Sequence, residues 1–370
     1  MKKLQIIVAL VLIALTACIQ IESEQVKIGI LAPVTGPIPA IGNDVKNGIL
    51  LAIEDINAAG GIGGKRIVPV LEDGQCDTKV ALSAFKKLAE VDEVKAMLGI
   101  TCTPEAFATQ EISDSLHIPT VHSVVSGWRN NKTDSYVFNI FPGARFEGSF
   151  DAEFASKKGW GKVAVIYVDN DYGKAFKNTF QAAFEKLGGK VVIAEAHAVG
   201  ESDFRTILAK VKEAHPDGIY LATLEMPAIT LVKQANELGF SAGGMLSTGG
   251  ILGGNFLNAT RGISDGITVT GIGDRESPGY KAFVEKYVNK YGAEPATSTA
   301  LVAYDSVYVL TAGLASGDDP EKQRNAIESL HYAGISGSIE FDEFGQLKAK
   351  KDFFIYEIHD GSVHLNGTNT

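Results

Sequence analysis

The stretch GNDVKNGILLAIEDINAAGGIGGKRIVPVLED, Gly42 to Asp73, decides the fold class. In its first half Val45, Ile49, Ala52, Ile53 and Ile56 recur at three- and four-residue spacing, the stripe of a helix with one buried face. Its last eight residues, RIVPVLED, read as a short apolar strand ending in acidic residues. Between them AAGGIGGKR, Ala58 to Arg66, puts four glycines in five positions ahead of a lysine. A phosphate cradle needs strand, glycines and helix in that order, because the helix N-terminus supplies the amides that hold the anion. Here the order is reversed. The spacing departs as well, since Ala59 stands five before Gly64 and Lys65 is followed by Arg66 instead of Ser or Thr. The glycines therefore read as a helix stop, and a helix that returns into a strand is the repeat unit of an α/β sheet.

Working outward, short apolar runs alternate with helical stretches along the whole chain. VKIGILA (26–32), RIVPVLE (66–72), KAMLGI (95–100) and IPTVHS (118–123) read as buried strands of a parallel sheet with helical crossovers. A second set follows, KVAVIYV (162–168), KVVIAEAH (190–197), GIYLAT (218–223) and GITVTG (266–271), with helices near 173–187, 203–215 and 226–239. Further helices near 279–291, 298–315 and 320–330 precede strands near 338–341 and 353–359. The pattern predicts an α/β protein of two Rossmann-like lobes with parallel-rich sheets, joined by a hinge whose first crossing is IFPGAR, 140–145. Lobe 1 is expected to comprise 26–143 plus 274–352, and lobe 2 144–273 plus 353–370. Sheets of this kind bind at the carboxyl ends of their strands, so the natural site is the cleft between the lobes.

The first 17 residues, MKKLQIIVALVLIALTA, put two lysines before an apolar run from Ile6 to Leu15. That run is too short to span a bilayer and suits an export signal. Leu15, Thr16, Ala17 and Cys18 resemble the lipobox of bacterial and some archaeal lipoproteins, which implies a lipid on Cys18 and a tether over 18–25. Loss of 1–17 removes two lysines and takes the formal charge from −10 to −12, an acidic balance that argues against nucleic acid as a partner. Three cysteines leave Cys76 and Cys102 once Cys18 carries the lipid. In an oxidising compartment such a pair is suited to a disulfide, stabilising by roughly 3 to 4 kcal/mol in the chain-entropy model. The seven histidines show neither HxxxH nor HExxH spacing, so no metal or other cofactor is called for. GxSxG and matched Cys and His nucleophile patterns are missing too, which argues against an enzyme.

Candidate binding residues sit where strands end. TCTPEA follows KAMLGI and opens a helix, with Thr103 as a good N-cap, Pro104 at its first position and Glu105 in its first turn. Free amides and hydroxyls there suit a carboxylate. HSVVSGW offers Ser123, Ser126 and backbone amides at the same edge. In the second lobe DNDYGK places Tyr172 where an aromatic can close over a ligand, and LEMP places Glu225 where an acid can meet a cation.

The segment VKIGILAPVTGPIPAIGNDVKNGILLAIEDINAAGGIGGKRIVPVLEDGQCD resembles the opening of the leucine/isoleucine/valine-binding proteins of ABC transporters. PVTGP, AIEDINAAGGIGGK and the cysteine after the second strand carry the resemblance, which continues through DYGK, YDSVYVL and IEFDEFGQ. It implies a type I periplasmic-binding fold, capture of a small solute, delivery to a membrane permease, and a bond between Cys76 and Cys102. It also implies that Thr103, the backbone of Val124, and Ser126 hold a ligand carboxylate, with Tyr172 as the second-lobe aromatic. Two departures bear on the solute. The family's acid for the α-ammonium should fall near Gly249, where this chain has none, and the first-loop aromatic is Ile41. Glu225 could supply that charge. Without an acid, a buried ammonium would go unpaired, which leaves a branched-chain or related amino acid beside a small amide, urea or carboxylate lacking an α-amino group. A sensory receptor of the same fold and an exported enzyme on a similar scaffold are the competing readings.

Overall fold

The computed structural model describes residues 24–127, 132–274, 277–348 and 353–368. Cys18 and the export segment lie outside the described residues. The chain runs β1 (Gln25–Ala32), α1 (Pro39–Ala58), β2 (Arg66–Asp73), α2 (Thr78–Lys86), β3 (Ala96–Leu98), α3 (Thr103–Leu116), β4 (Thr120–His122) and β5 (Val137–Asn139). It continues with α4 (Gly143–Lys157), β6 (Lys162–Val168), α5 (Asp171–Lys186), β7 (Lys190–His197), α6 (Arg205–Glu213), β8 (Gly218–Ala222), α7 (Glu225–Glu237), β9 (Met245–Ser247), α8 (Gly254–Ala259) and β10 (Thr268–Ile272). Then come α9 (Pro278–Tyr291), α10 (Thr299–Leu314), α11 (Pro320–Glu328), the short pair β11 (Tyr332–Gly334) and β12 (Gly337–Ile339), β13 (Phe353–His359) and β14 (Ser362–Thr368).

Two main sheets result. The first has the order β2-β1-β3-β4-β5, parallel throughout, and the second β14-β13-β10-β9-β8-β6-β7. In the second, β13 runs antiparallel to both β10 and β14 while the other strands pair in parallel. The residues dictate this: β1 is a continuous apolar run whose Ile28, Ile30, Leu31 and Ala32 are wholly buried, as a strand covered on both faces must be. On α1 the stripe of Val45, Ile49 and Ala52 is buried, and Ile56, nearer the end of the helix, is half-buried. The helix stops at Ala58, and Gly60 and Gly61 then take φ of 106° and 76°, the left-handed region that glycine supplies. Against α1 lies α10, so close that a Cβ on Gly48 would stand 2.1 Å from the Ala300 carbonyl oxygen. After β12 the chain returns to β5, where Leu347 N–H donates to Asn139 O and Asn139 N–H to Gly345 O.

The short elements β5, β9 and β14 were not foreseen, and neither was α4, whose first residues overlap the expected crossing IFPGAR. The crossing is only Ile140 to Pro142. The buried face of α4 is Ala144, Glu147, Gly148, Asp151, Ala152 and Ala155, a helical stripe with two acids in it. A stripe of that composition carries little hydrophobic periodicity.

Candidate functional site

A cavity of about 100 Å³ lies where the strand ends of the two main sheets meet. From the first sheet it is lined by Thr101 and Thr103 after β3, Val124 and Ser126 after β4, Phe141 after β5, and Ile38 and Ile41 at the start of α1. From the second come Asn170 and Tyr172 after β6, Leu224 after β8, Thr248 to Gly250 after β9, and Thr270 to Ile272 at the end of β10. Loops beyond the carboxyl ends of parallel strands thus supply both walls.

The start of α3 differs from expectation. Cys102, not Thr103, is the N-cap, with Thr103 the first helical residue. The reason is the disulfide between Cys102 and Cys76, together with the buried Glu105, which accepts from Cys76 N–H at 2.9 Å and Cys102 N–H at 3.3 Å. Burial pushes the Glu105 carboxyl up to about 7. The Thr103 hydroxyl accepts from Gly127 N–H at 3.1 Å, and its own hydrogen remains available to a partner in the cavity. Among the described residues, neither the Val124 N–H nor the Ser126 hydroxyl has a hydrogen-bond partner. These three donors belong to residues that line the cavity.

Tyr172, Ile41 and Gly249 also line it. The Tyr172 hydroxyl lies 2.6 Å from Thr248 Oγ1, and its ring packs against Phe176 at 4.9 Å between centroids. Glu225 does not line the cavity, which corrects its expected place in the cleft. It is wholly buried, with Oε1 accepting from Asn255 N–H at 3.2 Å, and the amides of Phe256 and Ala40 also act on it. The carboxylate is thus hydrogen-bonded to the first turn of α8, and the Ala40 amide at the start of α1 also acts on it, while its Oε2 has no hydrogen-bond partner. Beside it Met226 N–H donates to Pro37 O at 3.4 Å.

The acid that does reach the cavity is Glu147 on α4, which sequence reasoning missed. It is 4 % exposed, and Oε1 accepts from Thr270 Oγ1 at 3.3 Å and from Gly249 N–H at 3.5 Å. Its charge therefore lies beside Gly249 in space although far from it in sequence. One turn along, Asp151 is fully buried and accepts from Tyr220 Oη at 2.6 Å, while its Oδ1 has no hydrogen-bond partner. Burial, and the mutual repulsion of the two carboxyls, hold Glu147 well above the usual range; burial pushes Asp151 up to about 7. The available signal was the placing of two acids four apart on the same face as Ala144, Ala152 and Ala155.

Among the described residues, no cluster of three or more His, Cys, Asp or Glu is placed to hold a metal ion, and no helix is long and apolar enough to cross a membrane.

Residues 25–362 match the family model described as periplasmic binding protein. The chain is 28% identical over 364 residues to the leucine-, isoleucine-, valine-, threonine- and alanine-binding protein of Pseudomonas aeruginosa, covering 97% of this chain and 96% of that one. The crystal structure of a leucine-binding protein from Thermotoga maritima superposes with a TM-score of 0.84 at 27% identity, over 93% of this chain and 98% of that one. A solute-binding protein of an ABC transporter from R. palustris, solved in complex with benzoate, shares the fold with a TM-score of 0.82 at 21% identity, over 93% and 96% of the two chains.

Proposed function

The chain belongs to the periplasmic binding protein family, a family of exported, non-catalytic substrate-binding proteins, and we propose that it captures a branched-chain or related amino acid for an ABC importer. The carrying observation is that the donors of Thr103, Val124 and Ser126 share one cavity with an apolar wall formed by Ile41, Phe141, Leu224 and Ile272. Three neutral donors, one at a helix start and two in the loop after β4, suit a carboxylate. The wall suits an aliphatic side chain, whose burial contributes about 1.5–3 kcal/mol. Tyr172, anchored through Thr248, closes over the solute from the second lobe. The lobes then shut around it and present the closed form to a permease, and a lipid on Cys18 holds the receptor at the membrane face. In this reading 26–143 and 274–352 make up one lobe and 144–273 with 353–370 the other.

A second reading is a carboxylate without an α-amino group. Gly249 carries no acid, and the same fold accommodates benzoate in the R. palustris protein. A thermal-shift screen of residues 19–370 against amino acids, amides, ureas and carboxylates separates the two. A ligand at 100 times its Kd stabilises by about 2.7 kcal/mol. Response to leucine, isoleucine or valine is the expected result; response only to ligands lacking an α-amino group overturns the amino-acid assignment.

A further inference from the structure

Building on the amino-acid reading above, we infer that Glu147 is the acceptor for a cationic nitrogen on the solute. Glu147 lines the cavity and is more than nine-tenths buried, yet Oε1 has only two long contacts and Oε2 has no hydrogen bond among the described residues. A buried carboxylate left this poorly served is costly unless a cation meets it. The groups facing the pair are Gly249 N–H after β9, Thr270 on β10, Tyr220 on β8 and Tyr172 on α5, and among the described residues no Lys, Arg or His acts on either acid. The described residues therefore supply no positive partner. Asp151 stands one turn farther from the cavity, held by Tyr220. Its repulsion adds to burial in raising Glu147, so the charge of one carboxyl is felt by the other. The place the sequence left without an acid, at Gly249, is thus filled in space from α4.

Proton balance gives the inference a sign. With the cavity free of solute, burial favours the acid form of Glu147. Arrival of an ammonium group ionises it, and one proton leaves to solvent for each solute bound. Affinity for a cationic solute must then rise with pH, by up to about ten-fold per unit below the titration of the pair, and level off above it. A carboxylate lacking the nitrogen gives the opposite slope, because it needs the neutral acid beside it.

The test is calorimetric titration of the full mature chain across about pH 5.5 to 8.5, in buffers of different ionisation heat, with three probes of one carbon skeleton. They are L-leucine, 4-methylpentanoate without the amino group, and 3-methylbutylamine without the carboxylate. Leucine binding tighter as pH rises, with proton release, is the expected result. Glu147→Gln should weaken leucine about a hundred-fold or more and remove the slope, while leaving 4-methylpentanoate no weaker. Asp151→Asn should keep leucine binding and move the slope to lower pH, a shift that a merely structural role would not produce. Binding of the amine alone, dependent on Glu147, sinks the amino-acid reading and leaves the inference standing. The inference is overturned if only 4-methylpentanoate binds, if neither nitrogen-bearing probe binds, or if Glu147→Gln changes neither affinity nor slope. Should that variant not fold, the slope in the unaltered protein decides.

Discussion

The hydroxyls of Tyr172 and Thr248 stand 2.6 Å apart, tying the first turn of α5 to the turn after β9 across the second lobe's wall of the cavity. Gly250 makes this possible, because a Cβ there would lie 2.4 Å from Tyr172 Oη and 2.8 Å from the Thr223 carbonyl oxygen. The backbone oxygen cannot yield, so Gly250→Ala should displace the tyrosine, destabilise the fold by about 1–3 kcal/mol and weaken solute binding. Denaturant titration and calorimetry together check this, and an unchanged midpoint with unchanged Kd refutes it.

Buried acids set an uncommon pH dependence of stability. Burial pushes Asp44 up to about 6 although Thr297, Tyr287 and Ala296 donate to it, and raises Glu105 and Asp151 to about 7 and Glu147 well above its ordinary value. In each case the folded state holds the proton more tightly than the unfolded chain, so stability falls as pH rises from about 4 through 7. His122 opposes them below about pH 6.5, because burial lowers it to about 3 and the unfolded chain takes up that proton instead. Burial raises Glu225 and lowers His197 in the same way, so among the described residues five raised acids stand against two lowered histidines and outweigh them. The solute-free protein should melt higher at about pH 5.5 than at pH 7.5, and Asp151→Asn should shrink the gap.

Glu225, outside the cavity, is hydrogen-bonded to the first turn of α8 at Asn255 and acted on by the Ala40 amide in the first turn of α1. A carboxylate at helix N-termini contributes up to about 2 kcal/mol in a partly buried setting. Because one of those helices belongs to each lobe, Glu225→Gln should disfavour the closed form. It should weaken every solute by a similar factor of about 5 to 30 and speed dissociation, without altering the order of preference. Stopped-flow release of two different solutes measures this, and a change in selectivity would refute it.

The bond between Cys76 and Cys102 carries two residues that line the cavity, and Glu105 holds the backbone N–H of both. Replacing the pair by serines should cost roughly 3 to 4 kcal/mol of stability. Binding should weaken as well, since Thr103 follows Cys102 directly and loses its fixed position. Unfolding midpoints and leucine titrations of the oxidised and double-serine proteins provide the comparison.

Much of this architecture was written locally. The stripe of Val45, Ile49 and Ala52, the glycine stop after Ala58 and the apolar runs at 162–168 and 190–197 each encode an element within a dozen residues, because helical and strand periodicities are properties of neighbours in the chain. The residues at strand ends, Thr103, Val124, Ser126 and Tyr172, could be singled out for the same reason. What the tertiary structure alone decided is which groups meet. Glu147 comes to Gly249 only because α4 packs beneath β10 and the turn after β9, and Glu225 turns from the cavity only because two helix N-termini present bare amides to it. In the sequence an acid looks like a solvated residue whichever way its helix faces. Its direction follows from long-range packing, and in this protein that direction separates the acid that can meet a solute from the acid that joins the lobes.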